Sequence, residues 1–194
     1  MPDLIRAVLS EQLGRSLTLT DVGLATTNND AAPEALSSYL DRTVARWRSH
    51  AHEPSTRAQE PPLSRTAAQL PIWEWENLPG DTTAARDGAG RLGLHDVRTV
   101  IAARGRYEEM YRQVGGVATG TRVRSFLANH AAIMLQARYS DAVGRQLLRA
   151  LGGLVAIAGI CAYDSDSQRA AQMYYHQALR FAKASGDGNS APTS

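Results

Sequence analysis

Side-chain catalysis needs a nucleophile, a base or a set of metal ligands brought within contact distance, and this chain offers few residues for any of these. Its five histidines, His50, His52, His95, His130 and His176, fall in different stretches. Only His50 and His52 are close, and two imidazoles do not complete a tetrahedral site. Cys161 is the single cysteine and sits in an apolar run, where a thiol reads as core filler. Ser140 before Asp141 precedes another apolar helical run and reads as its N-cap. Glu108 and Glu109 lie among Arg104, Arg106 and Arg112, a mixed-sign helix surface explained by pairs such as Glu108 with Arg104 or Arg112. His130 falls on an apolar helical face and reads as a core histidine. The run Gly88-Ala89-Gly90-x-Leu92-Gly93 is close to a dinucleotide-binding glycine motif. No strand precedes it, and His95-Asp96 open the next helix where an anion would need free N–H groups, so the motif is rejected. The expectation is a protein that is not an enzyme, with no catalytic residues, no cofactor and no metal site.

Binding is the chemistry that the remaining residues can do. Arg145 and Arg149 lie one turn apart in an apolar helix with Gly152 just beyond. Arg122 and Arg124 open a helix and read as solvent-exposed. Arg42, Arg46 and Arg48 lie on one helix and could touch phosphate, although such a row is ordinarily a solvated face and no base-reading Asn or Gln accompanies it. The stretch 70–80, Leu-Pro-Ile-Trp-Glu-Trp-Glu-Asn-Leu-Pro-Gly, is the one aromatic concentration, with Trp73 and Trp75 alternating with acids and no helical period. It reads as a tether docking Trp73 on the helical part, or as a short partner-binding motif.

These residues must be carried by helices. The chain has 194 residues, of which 43% are apolar but only 6% aromatic, so a core must come from Ala, Leu, Val and Ile packed in helices. Net charge is +2, too small for a general attraction to nucleic acid or anionic membrane. The lone cysteine points to a reducing compartment. No segment was read as approaching the ~20 apolar residues of a membrane span, so the chain is expected in the cytoplasm, off the membrane.

Helical periodicity places a first helix at Leu4, Ile5, Val8, Leu9 and Leu13, stopped by Gly14, and a second at Leu36, Leu40, Val44 and Trp47. From 51 to 93 it dissolves into Pro, Ser, Thr and Gly, read as linker. Helix 94–114 carries Leu94, Val97, Ile101, Tyr107, Met110, Tyr111 and Val114 and stops at Gly115-Gly116. Helix 121–137 carries Val123, Phe126, Leu127, His130 and Met134. Helix 143–162, softened by Gly152-Gly153, and a last helix from Ser167 to Gly186 form a hairpin.

In that hairpin Gly159, Ala171, Tyr175 and Ala178 carry a resemblance. Small residues at 159, 171 and 178 let two axes approach while Tyr175 fills the space beside them, and the spacing resembles one tetratricopeptide repeat. The pattern departs where Val155 and Ala158 stand for the usual Trp and Leu, Ala162 for Tyr, and no Pro closes the second helix. The blocks Arg138-Tyr139-Ser140-Asp141 and Tyr163-Asp164, with the hairpin, resemble the region joining a Cro/repressor-like helix-turn-helix domain to tetratricopeptide repeats in bacterial transcriptional regulators. Residues 2–24 resemble the end of that DNA-binding domain. The resemblance implies a regulator trimmed at both ends, its groove-reading helix absent before Pro2 and its later repeats absent after Asp187, and it implies that Arg145, Arg149 and Gly152, on the first helix of the hairpin, face a bound partner.

The expectation is therefore all-α, with a four-helix block at 94–187 holding one tetratricopeptide-like hairpin, and two N-terminal helices on a flexible linker. By segment this is a helix-turn-helix remnant (1–24), an amphipathic helix (25–50), a Pro/Gly-rich linker with the Trp motif (51–93), the helical domain, and a disordered tail (188–194). The expected function is a non-enzymatic regulatory protein binding a protein or peptide, or else a stand-alone interaction or dimerisation module. Self-association is expected at an apolar end near Tyr174, Leu179 and Phe181, and DNA binding only with the missing N-terminal domain present.

Overall fold

The computed structural model describes Ser10, Gly14, Ser16, residues 34–52 and residues 83–186. Two compact units divide the chain, Met1–Glu34 and Ala35–Ser194. In the first, Ser10 is helical and Gly14 turns at φ +61°, the left-handed conformation of a glycine that ends a helix. The rest of the expected helix-turn-helix remnant, the stretch with Trp73 and Trp75, and the tail lie outside the described residues.

The second unit is all-α: α1 (Leu36–His52), α2 (Leu94–Phe126), a π-helical turn (Leu127–Ala131) running into the short α3 (Ala132–Leu135), α4 (Asp141–Asp164) and α5 (Gln168–Ala184). Helix α4 packs along both α2 and α5. It buries Leu147, Leu148, Leu151, Leu154, Val155, Ala158, Cys161 and Ala162, an apolar surface wide enough for two neighbours. Among the described residues α4 is the one helix long and apolar enough to cross a membrane, a property the sequence reading passed over. Of its most apolar window 67% is buried inside the protein.

Glycine-115 shows how local chemistry shapes a longer element. The expected stop at Gly115-Gly116 is a corner inside α2, with Gly115 at φ +77° and ψ 177° and helix resuming at once. A Cβ on Gly116 would lie 2.5 Å from Asp164 Oδ2, so the bend falls where α2 meets the end of α4. The Tyr111 hydroxyl donates to Asp164 across the same corner, which raises the tyrosine's pKa.

Two faces differ from the expected ones. On α2 the core residues are Val97, Val100 and Ala103, while Ile101 is 54% exposed and Leu94 and Val114 also face solvent. The buried track advances by three residues per turn from Val97, where the sequence reading had stepped by four. His130 is exposed and stacks on Phe126 at 5.1 Å between centroids. The π-helical turn inserts an extra residue, rotating the positions behind it, and Ala131, Ala132 and Leu135 take the core instead. Ser140 and Ser167 hold N-cap positions without a side-chain capping bond.

Two segments expected to be loosely attached are packed parts of the unit. Helix α1 is packed on the helical block: Leu36, Leu40, Val44 and Trp47 are buried, and it packs on the π-helical turn, α3 and α2, while residues 53–82 of the expected linker lie outside the described residues. Residues 83–93, expected as linker, form a strap. Arg86 N donates to Tyr139 O at 3.0 Å and receives the reciprocal bond at 2.9 Å, and Leu92 N donates to Arg138 O at 2.9 Å. Ala84 and Leu92 are buried, and a Cβ on Gly88 would sit 2.0 Å from Gln136 O. The strap lacks periodicity because it pairs with two residues of irregular backbone and is no strand or helix. Of its glycines Gly88 serves close backbone approach and Gly90 a left-handed turn at φ +79°, and Asp96 occupies the start of α2 by accepting from Gly93 N at 2.8 Å, where an anion would have to bind.

Candidate functional site

The α4/α5 hairpin closes on small residues. A Cβ on Gly159 would lie 2.9 Å from Tyr175 Cε1, so the phenol ring rests directly on the glycine backbone. Ala171 is buried and Ala178 half-buried at the same seam. The four residues expected to pack the hairpin thus lie on the α4/α5 interface. On the open side of that seam α2, α4 and α5 enclose a groove of about 580 Å³, lined by Arg104, Arg149, Gly152, Gly153, Ala156, Tyr175, Ala178, Leu179 and Ala182.

Two arginines belong to this otherwise apolar lining. Arg149 was expected to face a partner, and it does line the groove. Arg104 was missed as a groove residue. It pairs with Glu108 at 2.7 Å as its i,i+4 spacing predicts. Its guanidinium also covers Gly153, where a Cβ would stand 2.6 Å from Nη1. The Gly152-Gly153 step, read as a soft spot in the helix, is the slot that admits Arg104. The pattern of a glycine pair opposite an arginine spans two helices far apart in sequence, and no local signal reveals it.

Arg145 does not join Arg149. Its Nε donates to Asp141 Oδ2 at 2.9 Å and its Nη1 reaches Ala184 O at 3.5 Å, so it clamps the start of α4 to the end of α5. Asp141 also accepts from Ala84 N at 2.6 Å and from Thr83 Oγ1 at 3.2 Å. The bond from the Ala84 N–H, more than the Arg145 bond, holds this carboxyl below the usual carboxylate range. Of the two partners expected for Glu108, Arg104 takes it, and Arg112 pairs with Glu109 at 2.8 Å.

The groove offers recognition chemistry. Its lining contains no carboxylate, imidazole, thiol or serine hydroxyl. Burial pushes the Cys161 thiol up to about 11, away from thiolate reactivity at neutral pH. Among the described residues no three His, Cys, Asp or Glu side chains gather as a metal set. His50 Nδ1 lies 3.0 Å from the Tyr174 hydroxyl, an aromatic polar contact on the α1 side. What the groove can do is seat small apolar side chains over Gly152, Ala156, Ala178 and Ala182 and meet an anionic group with Arg104 and Arg149.

The opposite side of α5 is built differently. Trp47 Nε1 donates to Gln177 Oε1 at 2.9 Å, and Trp47 meets Phe181 edge-to-face at 6.1 Å. Tyr39 meets the same phenyl ring at 6.4 Å. Trp47, Tyr174, Gln177 and Phe181 are almost wholly buried, so the end expected to be open for self-association is covered by α1. Of the three residues named for that end, only Leu179 is exposed, and it belongs to the groove. Compared with protein families, with curated proteins and with solved structures, the chain matches none of them.

Proposed function

We propose that this is a non-enzymatic regulatory protein of the cytoplasm, similar to transcriptional regulators with tetratricopeptide repeats, that acts by binding a peptide or protein segment. The observation that carries the reading is the groove of α2, α4 and α5. It is largely apolar, holds two guanidiniums and the Tyr175 phenol, and has no carboxylate, imidazole or thiol in its lining. Repeat hairpins of this kind present the first helix of each pair to a ligand, and α4 supplies Arg149, Gly152, Gly153 and Ala156 to the groove.

The alternative is a stand-alone interaction or dimerisation module without DNA binding; its dimerisation form is less supported, because α1 covers Tyr174 and Phe181 at the end expected to self-associate. The test is selection of peptides from a displayed library on the full chain, followed by titration against Ala156→Phe, which fills the groove floor. Affinity for the selected peptide is expected to fall at least ~10-fold, about 1.4 kcal/mol, with the melting temperature unchanged. Equal binding by Ala156→Phe, or failure of every library to yield a binder, would overturn the reading.

A further inference from the structure

The face of α4 that floors the groove runs on past its enclosed part. Arg149, Gly153 and Ala156 line the groove at helical spacing, and the same face continues through Ile160 and Tyr163 to Asp164, the last residue of the helix. Ile160 is 36% exposed and Tyr163 59%, so the continuation is open to solvent and uncharged until Asp164. On α2 Arg104 stands over Gly153, and Tyr111, two turns later, meets Asp164 through its hydroxyl. On α5 Tyr175 lies against Gly159 and lines the groove. Asp164 therefore closes the far end of the trough, and each of the three helices brings a phenol to that end.

The Asp164 charge is not neutralised inside the protein. Among the described residues Asp41, Asp87, Glu108, Glu109 and Asp141 each lie in an ion pair. Asp164 is exposed, lies in no such pair, and accepts from the neutral Tyr111 hydroxyl. Glu108, the other carboxylate on this side of α2, is committed to Arg104. Arg124, beside Cys161, is turned back on its own helix and donates to Thr121 Oγ1 at 3.3 Å. The carboxylate acts on the rings instead. Its bond to Tyr111 raises that phenol's pKa, and at Tyr175 it adds to the upward push of burial, with Tyr163 contributing as well. Tyr111 and Tyr175 are thus neutral at pH 7, with Asp164 the negative charge among them.

We propose that this end of the groove is a cation subsite, where a lysine or arginine side chain of the bound segment lies over the Tyr163 and Tyr175 rings and pairs with Asp164. The proposal rests on the peptide-binding reading and adds the chemistry of one ligand residue to it. An ammonium or guanidinium is drawn both to the negative face of an aromatic ring and to a carboxylate. Its alkyl stem can lie along Ile160, an apolar approach to a charged end. An apolar side chain would strip water from the carboxylate without replacing it, and an acidic one would add repulsion. Asp164 follows Gly153 by 11 positions, about 16 Å along the helix, which is the span of roughly five extended peptide residues. The ligand is a segment with small apolar side chains over Gly152 and Ala156 and a basic residue that far along it.

The experiment is selection from a displayed random peptide library on the full chain and, in parallel, on Asp164→Asn, followed by titration of the labelled peptide recovered. Peptides recovered on the unaltered chain are expected to carry Lys or Arg at one fixed position, and the preference is expected to vanish on Asp164→Asn while binders are still found. For a recovered peptide, Asp164→Asn should weaken binding about 3- to 10-fold. Tyr163→Ala should weaken it about 2- to 5-fold, with Tyr163→Phe restoring it. The same peptide with norleucine in place of its basic residue should bind the unaltered chain and Asp164→Asn equally. Asp87→Asn makes the same change in net charge on the distant strap and should alter affinity less than ~2-fold. Asn keeps an acceptor for the Tyr111 hydroxyl, and circular dichroism establishes that each variant is folded. Binders without a basic position, a basic preference that survives Asp164→Asn, or an Asp87→Asn loss equal to that of Asp164→Asn each overturn the proposal and leave the peptide-binding reading standing. Failure to recover any binder overturns that reading, and the proposal falls with it.

Discussion

Helix α5 is held on its two sides by opposite means. Against α4 it is drawn close by missing side chains, with the Tyr175 ring on bare Gly159 and the Ala178 carbonyl 3.6 Å from the place of a Gly152 Cβ. Against α1 it is spanned by large ones, Trp47, Tyr39 and Phe181 in edge-to-face contact at 6.1 and 6.4 Å. Close backbone approach leaves an apolar groove at its margin, while the aromatic contact is filled by buried rings.

Removing the span should cost most. Trp47→Ala deletes a fully buried indole, its ring contact and the bond to Gln177, whose Nε2 already has no partner among the described residues. A loss of about 3 to 5 kcal/mol in urea unfolding is expected. A loss below ~1 kcal/mol would mean that α1 does not rely on its tryptophan.

Filling the close side should cost less. Gly159→Leu drives a side chain into the Tyr175 ring and should destabilise by about 1 to 3 kcal/mol. A neutral result would show that Tyr175 swings away freely, and the seam would lose its claim to specificity. Gly105→Ala, on the open surface of α2 with nothing within 4 Å of the new Cβ, should do the opposite and raise stability by about 0.5 to 1 kcal/mol. The two glycine variants together separate packing from helix propensity.

The smallest effect is electrostatic. Burial lowers the pKa of His176 below its ordinary 6.5, so the unfolded chain takes up a proton before the folded one does. Stability is therefore full above about pH 6.5 and declines as pH falls below it, by less than about 1 kcal/mol once solvent screening is included. His176→Gln should flatten the profile of melting temperature in that window. An unchanged slope would place the titration on another group.

Much of the fold could be read from residues alone wherever the signal was local and periodic. Leu36, Leu40, Val44 and Trp47 mark the buried stripe of α1, and Gly159, Ala171, Tyr175 and Ala178 mark the hairpin seam, because a helix repeats its neighbours every three to four residues. Residues 83–93 could not be read this way. Their order comes from two backbone pairings with residues 138 and 139 and from Asp141, and such pairings leave no period in either partner. His130 was misplaced because a π-helical turn breaks the repeat on which the reading depended. Of the candidate site, Arg149 and Gly152 were legible as one face of α4, whereas Arg104 was not, since it enters the groove from another helix.

Residue order determined that the described part of the chain is helical and which faces of α1 and of the α4/α5 hairpin are apolar. Tertiary structure alone decided which helix covers α5, which arginine enters the Gly153 slot, and which phenol donates to Asp164. The physical reason is range. Helix propensity and amphipathic period act between residues a few positions apart, whereas steric fit and Coulomb attraction act between whatever the folded chain brings within a few ångströms.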